Sequence, residues 1–266
     1  MTKTCSELFQ GMDCTIIGNG NEEVAGLAFR SDEVHPNDMF FCIVGTVVDG
    51  HSFAQDAIDR GATSLVAERK VYLADATDVT EVVVSDSRKA MAYASANFYD
   101  NPSRAFSLVG ITGTNGKTSV TLLLKSVLEQ VTGSAVGLIG TIQNMIGPEI
   151  LPTERTTPES FDLQELLARM ASAGCRYVVM EVSSHALALD RVGGIRFQAA
   201  AFTNLTEDHL DFHGTMEAYA QTKAMLFRRC RTGVWNADDP YCGQMMSGTS
   251  CRRILVSRRD PKADLL

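Results

Sequence analysis

The chain has 266 residues, with 45% apolar and 21% charged residues, a composition that excludes a disordered chain and suggests about two folded domains. Its 24 basic and 32 acidic residues leave a net charge of −8, which argues against a nucleic-acid partner and against a membrane surface. No run of about 18 apolar residues offers a membrane span.

The N-terminus, MTKTCSELFQGMDC, carries no signal-like apolar run. Cys5, Cys14, Cys42, Cys175, Cys230, Cys242 and Cys251 are dispersed without a CxxC pair. This usage predicts reduced thiols in the cytoplasm and speaks against a zinc site. Short elements then alternate. MFFCIV (39–44) predicts a buried strand, and SFAQDAIDRG (52–61) a short helix stopped by Gly61. ATSLVAER and EVVVSD predict strands, and SRKAMAYASANFY (87–99) a helix. The break DNPSR (100–104) predicts a boundary between a domain of residues 1–103 and a second of residues 104–266.

The second segment alternates again. FSLVGIT (106–112) predicts a strand. The helix after it sets Val120, Leu123, Leu124, Val127, Leu128 and Val131 on one expected core face, before Gly133. ESFDLQELLARMASAG (159–174) predicts a helix with Pro158 suited to its first turn, Leu163, Leu166, Leu167 and Met170 inward, and Gly174 at its end. RYVVMEV (176–182), FQAAAFTNL (197–205) and the start of GVWNADD predict strands, and TMEAYAQTKAMLFRRC (215–230) a helix. The alternation predicts an α/β fold, a parallel sheet with helices on both faces and ligands at the carboxyl ends of the strands.

GITGTNGKTS (110–119) lies between such a strand and such a helix. It fits the phosphate-binding loop except that its leading glycine comes one residue early, giving G-x-x-x-x-x-G-K-T with Gly113 inside. Glycines free backbone N–H groups to face an anion, and the helix N-terminus adds its dipole. Lys117 would reach β- and γ-phosphates and Thr118 would hold Mg²⁺. Glu181 ends an apolar strand, where a second magnesium ligand is needed. Ser183, Ser184 and His185 read as a loop or helix cap. A hydrolase triad lacks its G-x-S-x-G elbow. His209 and His213 stand among Glu207, Asp208 and Asp211. The H-x₃-H spacing invites zinc, but no third ligand follows at the required spacing, and a magnesium ligand or phosphate contact is equally open. Lys223 follows one turn after Tyr219, and a helix lysine is ordinarily solvated.

GTNGKTS (113–119), TTPES (156–160), EVSSHALALDR (181–191) and FTNLTEDHLDFHGTMEAYAQTKAMLF (202–227) together resemble the Mur ligases. HPNDMFFCIVGTVVDGHSFAQDAIDRGATSLVAE (35–68) looks like the uridine-binding domain of the branch that adds the third amino acid to UDP-N-acetylmuramoyl-L-alanyl-D-glutamate. The resemblance implies an N-terminal uridine-binding α/β domain followed by a central ATPase domain with the phosphate loop. It implies ATP-dependent amide formation through an acyl phosphate, with ATP and Mg²⁺. The partners would be UDP-N-acetylmuramoyl-dipeptide and a diamino acid, diaminopimelate or lysine, acting on a cytoplasmic monomer of peptidoglycan synthesis.

The same resemblance implies that Gly113, Thr114, Asn115, Gly116, Lys117, Thr118 and Ser119 hold ATP. Thr118, Glu181, His209 and a carbamylated Lys223 would hold metal, with Lys117, Lys223, Glu181 and His209 as the catalytic set. Ser31, Thr46, Val47, Val48, Thr156, Thr157, Ser183 and Arg191 would hold the UDP-sugar-peptide. The family commonly has Asp-Ser-Arg where this chain has Arg30-Ser31-Asp32, and some members carry glutamine at Leu189. The family's C-terminal domain is expected to be missing after KADLL. The central sheet would then be incomplete with an apolar edge, and the chain alone silent as a ligase. A folylpolyglutamate- or cyanophycin-type ligase, and a non-catalytic nucleotide-binding fragment, are the competing expectations.

Overall fold

The computed structural model describes residues 2–45, 48–74 and 78–265. The chain divides into two compact units, Met1–Asn101 and Pro102–Leu266.

In the first unit a short pair, β1 (Lys3–Thr4) and β3 (Glu23–Val24), stands apart from a five-stranded sheet. That sheet runs β2 (Cys14–Ile17), β7 (Thr80–Val84), β6 (Ser64–Ala67), β5 (Asp38–Phe41), β4 (Gly26–Ala28). Only the β2–β7 pair of this sheet is antiparallel. Around it lie α1 (Cys5–Leu8), α2 (Ala54–Asp59) and α3 (Ser87–Phe98). Thr4 and Glu7 form a reciprocal capping box on α1, and Asp86 caps α3. Phe40, Cys42, Ala57, Leu65 and Ala67 build one buried cluster. The strand expected over 39–44 stops at Phe41, although Cys42 and Ile43 stay buried. Beyond it the chain turns back on itself. Gly50 is required there, because a Cβ would lie 2.6 Å from the Ile43 nitrogen.

The second unit is an eight-stranded sheet. Its strands are β8 (Ser107–Thr112), β9 (Val136–Ile139), β10 (Asn144–Ile146), β11 (Glu149–Leu151), β12 (Tyr177–Glu181), β13 (Phe197–Phe202), β14 (Cys230–Asn236) and β15 (Arg252–Val256). The spatial order is β11-β10-β9-β12-β8-β13-β14-β15, with antiparallel pairing only at β9–β10 and β10–β11. The edge strand β15 begins with two exposed residues, Arg252 and Arg253, and continues with the half-buried Ile254, Leu255 and Val256. The helices are α4 (Lys117–Thr132), α5 (Ser160–Ser172), α6 (Ser184–Ala188), α7 (Leu210–His213), α8 (Met216–Ala224) and α9 (Cys242–Met246).

Three sequence expectations are corrected. In α4, Leu123, Val127 and Val131 are exposed at 66%, 53% and 78%. The helix instead lays Val120, Leu124 and Leu128 on Ile111, Val136 and Val179, and buries Thr121 and Lys125 beside them. Lys125 manages this by bonding Glu129 one turn on. In α5, Pro158 lies outside the first turn, since Glu159 is the N-cap. The helix expected through Cys230 ends at Ala224 and tightens into a 3₁₀ turn over Met225–Arg228. The other helix expectations hold: Leu163, Leu166, Leu167 and Met170 are buried, and Gly133 and Gly174 take positive φ past their helix ends. Phe227 and Trp235, both fully buried, stack with centroids 3.6 Å apart in the core of this unit.

Candidate active site

The carboxyl ends of β9, β12, β8 and β13 meet where the order of connection reverses across β8, the place where open α/β sheets bind ligands. The loop after β8 is shaped by two glycines at positive φ, Gly113 at 149° and Gly116 at 84°. A Cβ on Gly113 would fall 1.9 Å from Thr203 Oγ1, so no larger residue fits. Segment 203–206 clamps the loop. Thr114 N donates to Asn204 O at 2.8 Å, Asn115 N donates to Asn204 Oδ1 at 3.0 Å, and Asn204 Nδ2 returns a bond to Asn115 O at 3.0 Å. Thr203 Oγ1 donates to the same Asn115 carbonyl at 2.7 Å. Thr203 and Asn204 were missed as site residues in the sequence. Their signal was position alone, directly after an apolar strand.

Two lysines converge on one carbonyl. Gly113 O accepts from Lys117 Nζ and from Lys223 Nζ, each at 2.9 Å, and Lys117 also donates to Thr114 O at 2.9 Å. Lys223 is 1% exposed, against the solvated expectation for a helix lysine, and its amine sits 4.6 Å from the Tyr219 ring centre. Burial, reinforced by the Lys117 charge and opposed by Asp208, brings Lys223 down from 10.5 to about 7. Burial lowers Lys117 as well, with Glu181 and Asp208 working against the shift. Tyr219 ties the helix to the loop through its hydroxyl, 3.3 Å from Thr114 Oγ1.

On the other side of β8, Glu181 ends β12 and is 1% exposed. Its Oε2 accepts from Thr118 Oγ1 at 3.0 Å and Thr141 Oγ1 at 3.1 Å, and its Oε1 from Thr141 N at 2.9 Å. Gly140 makes this possible, because a Cβ there would lie 2.5 Å from Glu181 Oε1. Thr141 also meets Thr156 Oγ1 at 3.0 Å. It is a site residue that sequence reading missed, because the four-residue strand before it, VGLI, was itself missed.

The expected substrate residues of this unit gather next to that carboxylate. Thr157 Oγ1 donates to the Glu181 carbonyl at 3.0 Å and accepts from Ser183 N at 3.1 Å. Arg191 donates to Thr157 O at 3.3 Å and pairs with Glu159 at 2.7 Å, where Arg155 also pairs at 2.8 Å. Ser183 caps α6 by accepting from Ala186 N, as the cap reading expected. Ser119, exposed in the first turn of α4, completes the loop. His209 adopts a left-handed conformation at φ 54°. Its ring lies 4.8 Å from His185 and 6.3 Å from Tyr219, and it pairs with Asp208 at 3.4 Å. Among the described residues no hydrogen bond or ion pair joins it to Glu181. His213 Nε2 meets Ser184 Oγ at 2.9 Å. Burial first, and then neighbouring cations, lower His185 and His213. Among the described residues no group of three His, Cys, Asp or Glu side chains could hold a metal by itself.

In the first unit, Arg30 and Asp32 pair with each other across Ser31 at 3.0 Å. The Ser31 hydroxyl, with Arg60, holds Asp56 below the usual carboxylate range. Thr46 and Val47 lie outside the described residues, and Val48 is exposed.

The second unit is by its architecture an open α/β domain, with a glycine–lysine loop after the central strand β8 and a cluster of side-chain oxygens, Thr118, Thr141 and Glu181, beside it. Its sequence agrees with one family in detail. The model described as Mur ligase middle domain matches residues 111–265, more than half of the chain, and that of the Mur ligase family catalytic domain matches residues 23–111. The chain belongs to the Mur ligase family. It is 46% identical over 255 residues to the UDP-N-acetylmuramoyl-L-alanyl-D-glutamate–2,6-diaminopimelate ligase of Caldanaerobacter subterraneus subsp. tengcongensis, covering 96% of this chain and 52% of that protein. It is 47% identical over 235 residues to the enzyme of the same name from Clostridium perfringens, covering 88% and 48%. A solved structure of a ligase of that name superposes with a TM-score of 0.82 at 25% identity, over 99% of this chain and 54% of the other. MurF from Acinetobacter baumannii shares the fold, with a TM-score of 0.66 at 16% identity, over 96% and 53%. The chain spans about half the length of the curated relatives it matches.

Proposed function

We propose that the chain is the uridine-binding and ATP-binding part of an ATP-dependent ligase that joins 2,6-diaminopimelate to UDP-N-acetylmuramoyl-L-alanyl-D-glutamate. The relatives' names supply the two substrates. The observation that carries the reading is the contact of Thr118 with Glu181, which places a phosphate-loop hydroxyl and a strand-end carboxylate 3.0 Å apart. In the reaction a substrate carboxylate oxygen attacks the γ-phosphorus of ATP, the bond to ADP breaks, and an acyl phosphate forms. The amine nitrogen then attacks the acyl carbon, phosphate leaves, and the nitrogen gives up a proton.

The loop amides and Lys117 bind and orient the phosphates, and Lys117 offsets the charge that spreads over the transferring group. Thr156, Thr157, Ser183 and Arg191 orient the peptide side, and Ser31 with Thr46, Val47 and Val48 the uridine side. A magnesium ion fits Thr118, Thr141 and Glu181, a set of hard oxygens with room secured by Gly140. Such an ion, held by these oxygens, would supply neutralisation of phosphate charge. His209 is assigned to the same metal region by resemblance. Lys223, an amine near its neutral point at physiological pH, is suited to attack carbon dioxide, lose a proton and become a carbamate with ligand oxygens of its own. The reading sets the reaction in the cytoplasm and the chain as a monomer. All seven cysteines are free thiols, and no described helix is long and apolar enough to cross a membrane.

Calorimetry with ATP and Mg²⁺ tests the assignment. The chain should bind, and Lys117→Ala, which removes the loop's lysine without opening the core, should weaken affinity at least about tenfold while the chain stays folded by circular dichroism. Equal affinity in both, or no binding by the wild-type chain, overturns it. Mass spectrometry of a reaction with the UDP-sugar-dipeptide and either diaminopimelate or lysine tests the amino acid.

A further inference from the structure

The first unit holds a polar chain that the proposed reaction does not use. His51 has a side chain only 6% exposed, and both ring nitrogens are engaged. Nε2 lies 3.1 Å from the backbone N–H of Glu68 and can only accept there. The ring proton is therefore on Nδ1, which donates to Asp49 Oδ1 at 2.6 Å. The same carboxylate takes His51 N at 3.0 Å and Arg69 Nη2 at 2.6 Å. Glu68 in turn accepts from Ser87 N at 2.9 Å and Ser87 Oγ at 2.7 Å.

These five residues stand on three successive carboxyl-end connections. Asp49 and His51 follow β5, Glu68 and Arg69 follow β6, and Ser87 opens the helix after β7. Asp49 also closes the turn after β5, through its bridge to Val44, with Gly50 N on Ile43 O at 2.9 Å below it. Carboxyl ends are where such a sheet presents its ligand surface. An apolar plug would fill the same space at lower desolvation cost. A histidine locked in one tautomer between two connections instead fixes their relative position.

We infer that His51 is a positioning residue, which through Asp49 and the Glu68 amide sets the β5 turn against its neighbours so that the unit can hold a uridine nucleotide. The inference rests on the uridine-binding reading of this unit. His51 touches no substrate in it and acts through the turn.

The probe is UDP, titrated calorimetrically into the full chain, with ATP titrated in parallel. His51→Phe keeps the ring's bulk and removes both bonds, so UDP affinity should fall about tenfold or more while ATP affinity holds. His51→Asn retains a donor toward Asp49 and loses only the acceptor for Glu68, and should recover part of the loss. Arg69→Met, at a side chain 59% exposed, disturbs Asp49 without touching the core and serves if His51→Phe does not fold. Long-range ¹H–¹⁵N spectra of the wild-type imidazole should show the Nδ1–H tautomer. A folded His51→Phe chain, or Arg69→Met in its place, with wild-type UDP affinity overturns the inference, as does an Nε2–H tautomer. A wild-type chain that binds no UDP overturns the uridine reading first and the inference with it.

Discussion

Lys223 and Lys117 share one acceptor, the Gly113 carbonyl, and the Lys117 charge adds to burial in making a charged Lys223 costly. The consequence for Lys223 can be measured without substrate. Its value in the folded chain is about 7, against an ordinary 10.5, so between these the unfolded chain binds the extra proton and stability rises with pH. Below about pH 7 the burial cost is present in full, and near 10.5 it has vanished. Lys223→Met, which keeps the volume and drops the charge, should therefore raise the melting temperature in bicarbonate-free buffer at pH 6 to 7. The gain should shrink steadily toward pH 10, the difference at neutral pH being on the order of a few kcal/mol. A pH-independent difference between the two chains would contradict it. At this scale the loop residues 113–119 and Glu181 were legible in the sequence, because the strand–loop–helix context is local. Thr141 and Asn204 were not, since their partners lie 40 and 89 residues away. His51 was legible only within the run 35–68 that resembles a uridine-binding domain, because its second partner is the Glu68 backbone, 17 residues on.

Helix α4 shows where periodicity misleads. Its apolar residues at 120, 123, 124, 127, 128 and 131 cover more of the helix surface than one sheet contact can bury, so the pattern contains two stripes and does not say which faces inward. The sheet takes Val120, Leu124 and Leu128, and admits Thr121 and Lys125 because each finds a partner on its own helix, Thr118 O and Glu129. Leu123→Lys and Val131→Lys should therefore change urea-unfolding stability by no more than about 0.5 kcal/mol each, whereas Leu124→Ala should cost about 2 kcal/mol. A loss above about 1 kcal/mol for Leu123→Lys would mean that the exposed stripe is covered in solution. Elsewhere, element type was readable wherever the run was long, as in α3, α5 and β12. It was lost in the four-residue strand Val136–Ile139, the hairpin turning at Gly147–Pro148, and the five-residue helices α6 and α9. Such pieces are too short to build a period and are held by their neighbours in the sheet or loop.

At the scale of the whole molecule, each unit encloses its own sheet and its own buried clusters. Residues 1–101 should therefore fold when expressed alone and melt in one cooperative step by circular dichroism. A broad, non-cooperative loss of signal would show that the unit borrows stability from the rest of the chain. The α/β class and the order of the units were legible because strand and helix signals alternate along the full length. The order of strands within the second sheet was not, since the insertion of β12 between β9 and β8 depends on contacts no local run encodes. The sequence has one tryptophan, and Trp235 lies fully buried against Phe227 in the second unit. Its emission is thus a built-in optical reporter for residues 102–266 and blind to the first unit. Overlaying fluorescence on dichroism in one denaturant titration reads out, with no label attached, whether the two halves let go together.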